Sequence, residues 1–112
     1  MTSAPTDIFE FCTCLAPGRE LDYERFHRAI PADLDRAMRN AGVLNWRIYR
    51  DGTTLTHVVE ARDRRRMEAL LDADPTNRAW QTQVTPYLAR EPAESVLSTG
   101  GTLIWDFSWP TR

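Results

Sequence analysis

The sequence predicts an α+β fold in which a four-stranded antiparallel sheet has helices on one face. Segments whose apolar side chains alternate every second residue are interspersed with segments whose apolar side chains recur every three or four residues. The dipeptide Asp51-Gly52 separates two alternating segments, which is a strong hairpin signal. A chain of 112 residues, 42% hydrophobic and 27% charged, is long enough for one domain with a single core.

The first strand is predicted at residues 8–15, an aromatic-rich segment followed by a turn. Residues 1–7 are small and polar, so we expect a flexible N-terminal tail there. From residue 19 to residue 41, apolar side chains recur at helical spacing, and Gly42 ends the helix. Pro31 is expected to kink or break this helix, because proline has no backbone N–H and its ring clashes with the preceding turn.

The remaining elements are predicted by the same rules, with Asp74 as a helix cap and Pro75 at the first helical position. They are strands at 43–50 and 53–61, helices at 62–73 and from residue 75 to residue 88, a loop at 89–101 and a strand at 102–109. The order strand, helix, strand, strand, helix, strand is the ferredoxin-like split βαββαβ arrangement. Residues 8–112 are therefore predicted to form one α/β domain.

The predicted helices cover one face of the sheet and leave the other face open. In the last predicted strand, one alternate set contains four large apolar side chains: Leu103, Trp105, Phe107 and Trp109. We expect large apolar side chains on the open face, and a monomer rarely leaves so many aromatic rings in water. A second subunit is therefore predicted to cover this face, sheet against sheet.

Composition argues against several classes of protein. The net charge of −2 is unlike that of a basic nucleic-acid-binding module. Every basic residue is arginine, which excludes chemistry that uses a Schiff-base lysine. No segment approaches the ~18 apolar residues of a membrane span, and the first residues lack the pattern of a secretory signal. We expect a cytoplasmic protein that binds neither nucleic acid nor membranes.

The sequence shows no metal-binding or nucleotide-binding motif. Cys12 and Cys14 would lie on the same face of a strand, a poor geometry for a mutual disulfide, and are expected to be packed thiols. Neither His27 nor His57 belongs to a recognisable Cys/His metal pattern. Glycine-rich phosphate loops and the HExxH and GxSxG motifs are absent from the sequence.

Tyr23 and His27 are the main candidates for chemistry. They are four residues apart and so are neighbours on one helical face. Histidine titrates near neutral pH, as a general acid–base catalyst must, and a tyrosine hydroxyl can orient the ring or donate to a substrate oxygen. On spacing alone, a histidine packed in the core is the commoner outcome. His57 is predicted to be structural, and Glu60 is either a polar site group or a rim charge.

Two further features allow more than one interpretation. The four tryptophans could stack on the C–H faces of a sugar, although at least two of them must fill the small core. They are Trp46, Trp80, Trp105 and Trp109. The arginine-rich run at residues 62–66 could bind an anion, but a solvated helix start is the commoner outcome.

Residues 17–61, PGRELDYERFHRAIPADLDRAMRNAGVLNWRIYRDGTTLTHVVEA, resemble the L-rhamnose mutarotase family. The resemblance consists of a Y-x-x-x-H motif at Tyr23 and His27, an I-P-x-x-L motif at residues 30–34, and a glycine-led strand at residues 42–49. Trp80 lies in a later helix similar to the tryptophan-containing helix of the family. The match extends over roughly residues 8–109.

This resemblance implies a dimeric α/β barrel built from two ferredoxin-like subunits, a homodimer that acts on a free aldose without cofactor or metal. Members of the family interconvert the α and β anomers of a deoxy-hexose such as L-rhamnose. The family's catalytic histidine and tyrosine fall on His27 and Tyr23, and Trp46 and Trp80 are expected to stack on the sugar ring. Mutarotation needs only acid–base groups, which agrees with the absence of lysine and of nucleotide motifs.

The sequence departs from the family pattern at positions expected to line the sugar site. Members often have paired tryptophans at Ala79-Trp80, an Asn-Pro-Asp-type loop at residues 90–93, and a small or apolar residue at His57. Two other functions therefore stay open. A cofactor-free monooxygenase or polyketide cyclase needs a pocket for two or more fused rings. A non-catalytic ligand-binding dimerisation module predicts Tyr23 and His27 packed with no cavity beside them.

Overall fold

The fold is a four-stranded antiparallel sheet with its helices packed on one face, described here from a computed structural model for residues 5–89 and 101–111. This confirms the predicted α+β class. The strands are β1 (Asp7–Cys14), β2 (Val43–Asp51), β3 (Thr54–Ala61) and β4 (Thr102–Asp106). The helices are α1 (Glu20–His27), α2 (Ala32–Asn40), α3 (Arg64–Ala73) and α4 (Pro75–Val84), the last followed by a 3₁₀ turn at Thr85–Tyr87.

The order of strands and helices along the chain is consistent with the ferredoxin-like arrangement, and the strand order in the sheet is β1-β3-β2-β4. Because β3 pairs antiparallel with both β1 and β2, those two strands run parallel to each other on either side of it. The second unit repeats this relation, since β4 pairs antiparallel with β2 and so runs parallel to β3. The predicted loop at 89–101 lies mostly outside the described residues, as do residues 1–4 of the predicted tail.

Local sequence signals set the element boundaries. The long helix predicted from residue 19 to residue 41 is broken at Pro31, whose extended backbone (ψ 143°) separates α1 from α2. Asp74 accepts a hydrogen bond from the backbone N–H of Asn77 and caps α4, with Pro75 at its first turn, as predicted. Asp63 caps α3 in the same way, so this helix starts at Arg64 rather than at residue 62.

The prediction for β4 is wrong in two respects. The strand ends at Asp106, because its carboxylate accepts hydrogen bonds from the backbone N–H and hydroxyl of Ser108 and forms a turn. The register also shifts within the strand: Trp105 pairs with Ile48, whereas Leu103 pairs with Tyr49. This bulge places Leu103 and Trp105 on opposite faces of the sheet.

The expected row of aromatic rings on the open face is therefore wrong. Trp105 and Phe107 are buried in the core on the helical side, and Trp109 lies beyond the end of the strand. The open face has a mixed surface instead, with exposed Ile8 and Leu103 beside charged and polar residues. A second subunit on this face stays a prediction.

The core lies between the sheet and the helices. Leu55, Val59 and Ala61 of β3 have no exposed surface, because this central strand is covered by neighbours on both edges and by helices above. Leu34 and Met38 of α2 pack against the same layer. Cys12 and Cys14 are free thiols, partly buried, in the edge strand β1. Within the described residues, no helix is long and apolar enough to cross a membrane.

Candidate active site

A cavity of about 150 Å³ lies between the helical face of the sheet and the helices α1, α2 and α4. All four residues predicted to form a site line it: Tyr23, His27, Trp46 and Trp80. His57 lines the same cavity, although the sequence predicted only a structural role for it. The structure thus brings both histidines of the chain to one enclosed space.

The cavity floor is a row of four side chains, one from each strand. The strand register places Phe11 opposite His57, His57 opposite Ile48, and Ile48 opposite Trp105. Directly paired residues point to the same face of a sheet, so all four face the helices. Each of them lines the cavity.

His27 is the last residue of α1 and is buried among aromatic rings. The Tyr23 ring stacks on it at a centroid distance of 4.4 Å and an angle of 28°. The rings of Trp80 and Trp105 meet it edge to face, at 5.0 and 5.7 Å. These contacts fix the orientation of the imidazole at the cavity wall. Helix α1 ends at His27, four residues before Pro31, which directly precedes the next helix. The break between the two helices therefore places His27 at a helix C-terminus.

Tyr23 lies one helical turn before His27 and is only 2% exposed. Burial raises the pKa of its hydroxyl well above the ordinary value of 10.0, because the phenolate would lose its solvation. The hydroxyl therefore keeps its proton at neutral pH. It can act there as a hydrogen-bond donor, not as an ionised base.

His57 is held by partners on both ring nitrogens. The Trp46 Nε1–H donates to its Nδ1 atom (3.2 Å), and its Nε2 atom lies 3.0 Å from the Thr13 hydroxyl. Because the indole can only donate, Nδ1 must be unprotonated and Nε2 must bear the proton. The Phe11 ring lies parallel to the imidazole, with centroids 4.4 Å apart. Burial lowers the pKa of His57 from 6.5 to about 3, so this ring stays neutral.

The two tryptophans of the predicted site differ in their surroundings. Trp80 is buried, and one face of its ring is covered by the parallel ring of Phe26 at 4.6 Å. Trp46 is half-buried, and Phe11 meets it edge to face at 5.9 Å. Of the other tryptophans, Trp105 belongs to the cavity floor and Trp109 lies outside the cavity.

Polar side chains in the lining include three that the sequence analysis missed, namely Thr13, Asn77 and Gln81. Asn77 and Gln81 are four residues apart on α4 and flank Trp80, so both fall on its inward face. This polar interruption of an apolar helical stripe was a usable signal. Thr13 gave none, because its role depends on pairing with the distant strand β3.

A second, more open cavity of about 280 Å³ adjoins the first. Five residues line both cavities and form the wall between them: Phe11, Trp46, Leu71, Asn77 and Gln81. Arg64 lies in the second cavity, where it pairs with Glu68 at 2.9 Å and covers the Phe9 ring. This is the one residue of the arginine-rich run that lines either cavity, within the part of the chain that the structure describes.

Glu60 does not belong to the site. It lies on β3 at a position whose side chain points to the open face, and its carboxylate accepts a hydrogen bond from Thr6. It is therefore a rim charge of the sheet. Across residues 5–89 and 101–111, no group of three or more His, Cys, Asp or Glu side chains converges as metal ligands do.

Comparison with protein families adds to this geometry. The sequence profile of the family described as L-rhamnose mutarotase matches residues 9–104, which include every residue that lines the cavity of about 150 Å³ except Trp105. None of the curated proteins compared with the chain matches it.

Proposed function

Because the chain belongs to the L-rhamnose mutarotase family, we propose that it interconverts the α and β anomers of a deoxy-hexose such as L-rhamnose without a cofactor. The family assignment supports a sugar mutarotase, which is an isomerase acting on carbohydrates. The substrate and the roles of individual residues are our proposal.

The size of the cavity is the observation that most favours a sugar. Pockets for drug-sized ligands usually have volumes of ~300–1,000 Å³, whereas this cavity has about 150 Å³. Such a space suits one small ring and lies below the range usual for larger multi-ring ligands, and the Tyr23, Asn77 and Gln81 side chains in its lining offer hydrogen bonds to hydroxyl groups. The existence of a cavity beside Tyr23 and His27 also argues against a purely structural role for that pair.

The proposed reaction moves two protons and breaks one bond. The anomeric hydroxyl of the sugar loses its proton, the ring oxygen gains one, and the bond between the anomeric carbon and the ring oxygen breaks. The open-chain aldehyde rotates about its C1–C2 bond. Closure from the other side reverses both proton transfers and gives the other anomer, so no electrons are gained or lost overall.

We assign the proton transfers to His27. It is one of the two histidines in the chain, and His57 is excluded because both of its ring nitrogens are engaged and its pKa is lowered to about 3. Tyr23 keeps its proton, so it is assigned to donate a hydrogen bond to a sugar oxygen and to hold the imidazole by stacking. No carboxylate lines the cavity among the described residues, so a water molecule is assigned to carry the second proton.

The tryptophans are assigned to hold the sugar. Sugar rings present C–H faces that pack on indole, and the half-buried Trp46 has ring surface on the cavity side. Trp80 has one face covered by Phe26, so it is assigned to shape the wall next to His27. Gln81 offers its amide group for the sugar hydroxyls, and Asn77 offers its amide oxygen, since the Asn77 Nδ2 group already donates to the Leu71 carbonyl.

We also propose a homodimer that buries the open face of the sheet. The resemblance to dimeric barrels supports it, as do Ile8, 69% exposed, and Leu103, 37% exposed, on that face. Isolated exposed apolar residues are common, but two on one sheet face with no helix above fit a subunit interface.

Exchange NMR on equilibrated L-rhamnose tests the proposed function. The protein is expected to speed exchange between the two anomeric proton signals, and His27→Ala is expected to lower that rate by ~10²–10⁴. Asp33→Asn is the control variant, since this exposed residue of α2 lies outside the cavity and away from the open face of the sheet, and its variant should keep the wild-type rate. A loss of less than about threefold in a folded His27→Ala protein would contradict the assignment.

The choice of sugars separates the alternatives. If neither L-rhamnose nor L-fucose nor another common aldose exchanges faster, the sugar assignment fails, and an aromatic substrate becomes the leading hypothesis. If the His27→Ala protein still speeds exchange between the anomers of L-rhamnose, the proposed reaction stands and only the assignment of His27 is refuted.

A further inference from the structure

We propose that His57 is a positioning residue, which fixes the Trp46 indole as part of the wall of the sugar cavity and so determines how tightly that cavity holds its ligand. The proposal depends on the proposed function for its kinetic test. It depends on the geometry of the wall for its spectroscopic test.

The hydrogen bond between the two residues has a fixed direction. The indole Nε1–H of Trp46 can only donate, and the His57 Nδ1 atom lies 3.2 Å away. The acceptor is available because the opposite nitrogen, Nε2, bears the proton and has the Thr13 hydroxyl as its partner at 3.0 Å. A chain of three groups from β1, β3 and β2 thus ends on the indole.

The imidazole is itself held rigidly, as a positioning group must be. Phe11 lies parallel to it at 4.4 Å with an angle of 8°, and the residue is only 7% exposed. Its ring faces the cavity between neighbours on both adjacent strands, Phe11 and Ile48. His57 therefore cannot turn away without breaking both hydrogen bonds and the stacking contact.

Trp46, in contrast, needs an anchor. It is half-buried and lines both cavities, and its ring contacts among the described residues are edge to face, with Phe11 at 5.9 Å and His57 at 6.1 Å. It also follows the irregularity in β2 between Val43 and Asn45, where the strand register shifts. The bond to His57 holds the indole between the two spaces. Rotation of this side chain would open the part of the shared wall that it forms between the cavity of about 150 Å³ and its larger neighbour.

Two substitutions of His57 separate its two hydrogen bonds. In His57→Asn the side-chain oxygen can occupy the place of Nδ1 and accept from the indole. In His57→Gln the terminal amide reaches the place of Nε2, next to Thr13, and leaves the indole N–H without its acceptor. Trp46→Phe removes the donor and keeps an aromatic ring, which provides a variant with His57 intact.

The kinetic test measures KM and kcat for anomer exchange. His57→Gln is expected to raise KM for L-rhamnose by about five- to tenfold, the effect of one lost hydrogen bond, with kcat within about twofold. His57→Asn is expected to stay within about twofold in KM, and the double variant of His57→Gln with Trp46→Phe to be no worse than Trp46→Phe alone. Equal KM values for the Asn and Gln variants, or a loss in kcat alone, would overturn the proposal.

The spectroscopic test needs no substrate. With nitrogen-15 in the tryptophans, the indole N–H of Trp46 is expected to exchange slowly with water in the wild type and in His57→Asn, and faster in His57→Gln. Slow exchange in all three would overturn the proposed positioning, even if the enzyme is active. If no aldose is exchanged by the wild type, the proposed function fails, and the indole signal alone decides the positioning of Trp46.

Discussion

Acidification below pH 6.5 should destabilise this protein through His57. In the folded chain the pKa of His57 is lowered from 6.5 to about 3 by burial. As the pH falls below 6.5 the unfolded chain binds a proton at this residue, and the folded chain does not until about pH 3. The stabilising contribution is therefore complete above pH 6.5 and is lost between pH 6.5 and pH 3.

The size of the effect follows from the width of that window. Each pH unit below 6.5 costs about 1.4 kcal/mol of the free energy of unfolding, so the loss between pH 7.5 and pH 5 is about 2 kcal/mol. Burial raises the pKa of Asp106, but hydrogen bonds from Ser108 and Arg47 outweigh it, so its pKa lies below the ordinary 3.8. The contribution of this carboxylate is lost at lower pH than the range from 5 to 6.5.

Urea unfolding followed by tryptophan fluorescence measures this dependence. Wild type and His57→Gln are compared at pH 7.5, 6.5, 5.5 and 5.0, at one protein concentration, because a dimer makes stability depend on concentration. The variant is less stable overall, but its free energy of unfolding should change by about 2 kcal/mol less across that range. His27 is present in both proteins and cancels in the difference. If the free energy of unfolding changes with pH equally in the two proteins, the reasoning is refuted. That result would mean that His57 binds a proton equally in the folded and the unfolded chain.

Three further predictions concern other parts of the molecule. Tyr23→Phe keeps the ring that stacks on His27, so it should stay folded by circular dichroism while anomer exchange falls about five- to tenfold; an unchanged rate would rule out the hydroxyl as a donor. Trp80→Ala should lower the free energy of unfolding by about 3–5 kcal/mol in urea, against less than about 1 kcal/mol for Trp109→Ala, which lies outside the cavity; equal losses would contradict the packing of Trp80. Leu103→Asp should convert the proposed homodimer to a monomer in sedimentation equilibrium, and a wild-type protein already monomeric would refute that interface.

The fold was largely predictable because the residues that end its helices and strands act on their immediate neighbours in the sequence. Pro31 breaks a helix through its own ring, and Asp74 caps a helix through its own carboxylate. The hairpin turn lies at Gly52 and Thr53, one residue later than the predicted Asp51-Gly52, and joins β2 directly to β3. Such signals act within a few residues and can be read from the sequence. The bulge near Ile104 could not be predicted from the sequence. One extra residue in β4 leaves its apolar pattern unchanged, yet it moves Leu103 to the other face of the sheet.

The site was predictable where its residues are close in sequence. Tyr23 and His27 are neighbours on one helix, and their stacking follows from that spacing. The partners of His57 are not of this kind. Thr13 lies 44 residues away and Trp46 lies 11 residues away, and both meet the imidazole only through strand pairing. To predict a role for His57, one must therefore know how β1, β3 and β2 are aligned with one another.

The cavity floor also links ligand binding to the assembly of the whole sheet. Its four side chains, Phe11, His57, Ile48 and Trp105, come one from each strand, and the last strand in chain order supplies the fourth. A form in which β4 has detached lacks Trp105 and so lacks a complete floor. A sugar that binds only the closed floor shifts the equilibrium away from that form by mass action. The substrate should then slow exchange of the backbone amides that pair β4 with β2.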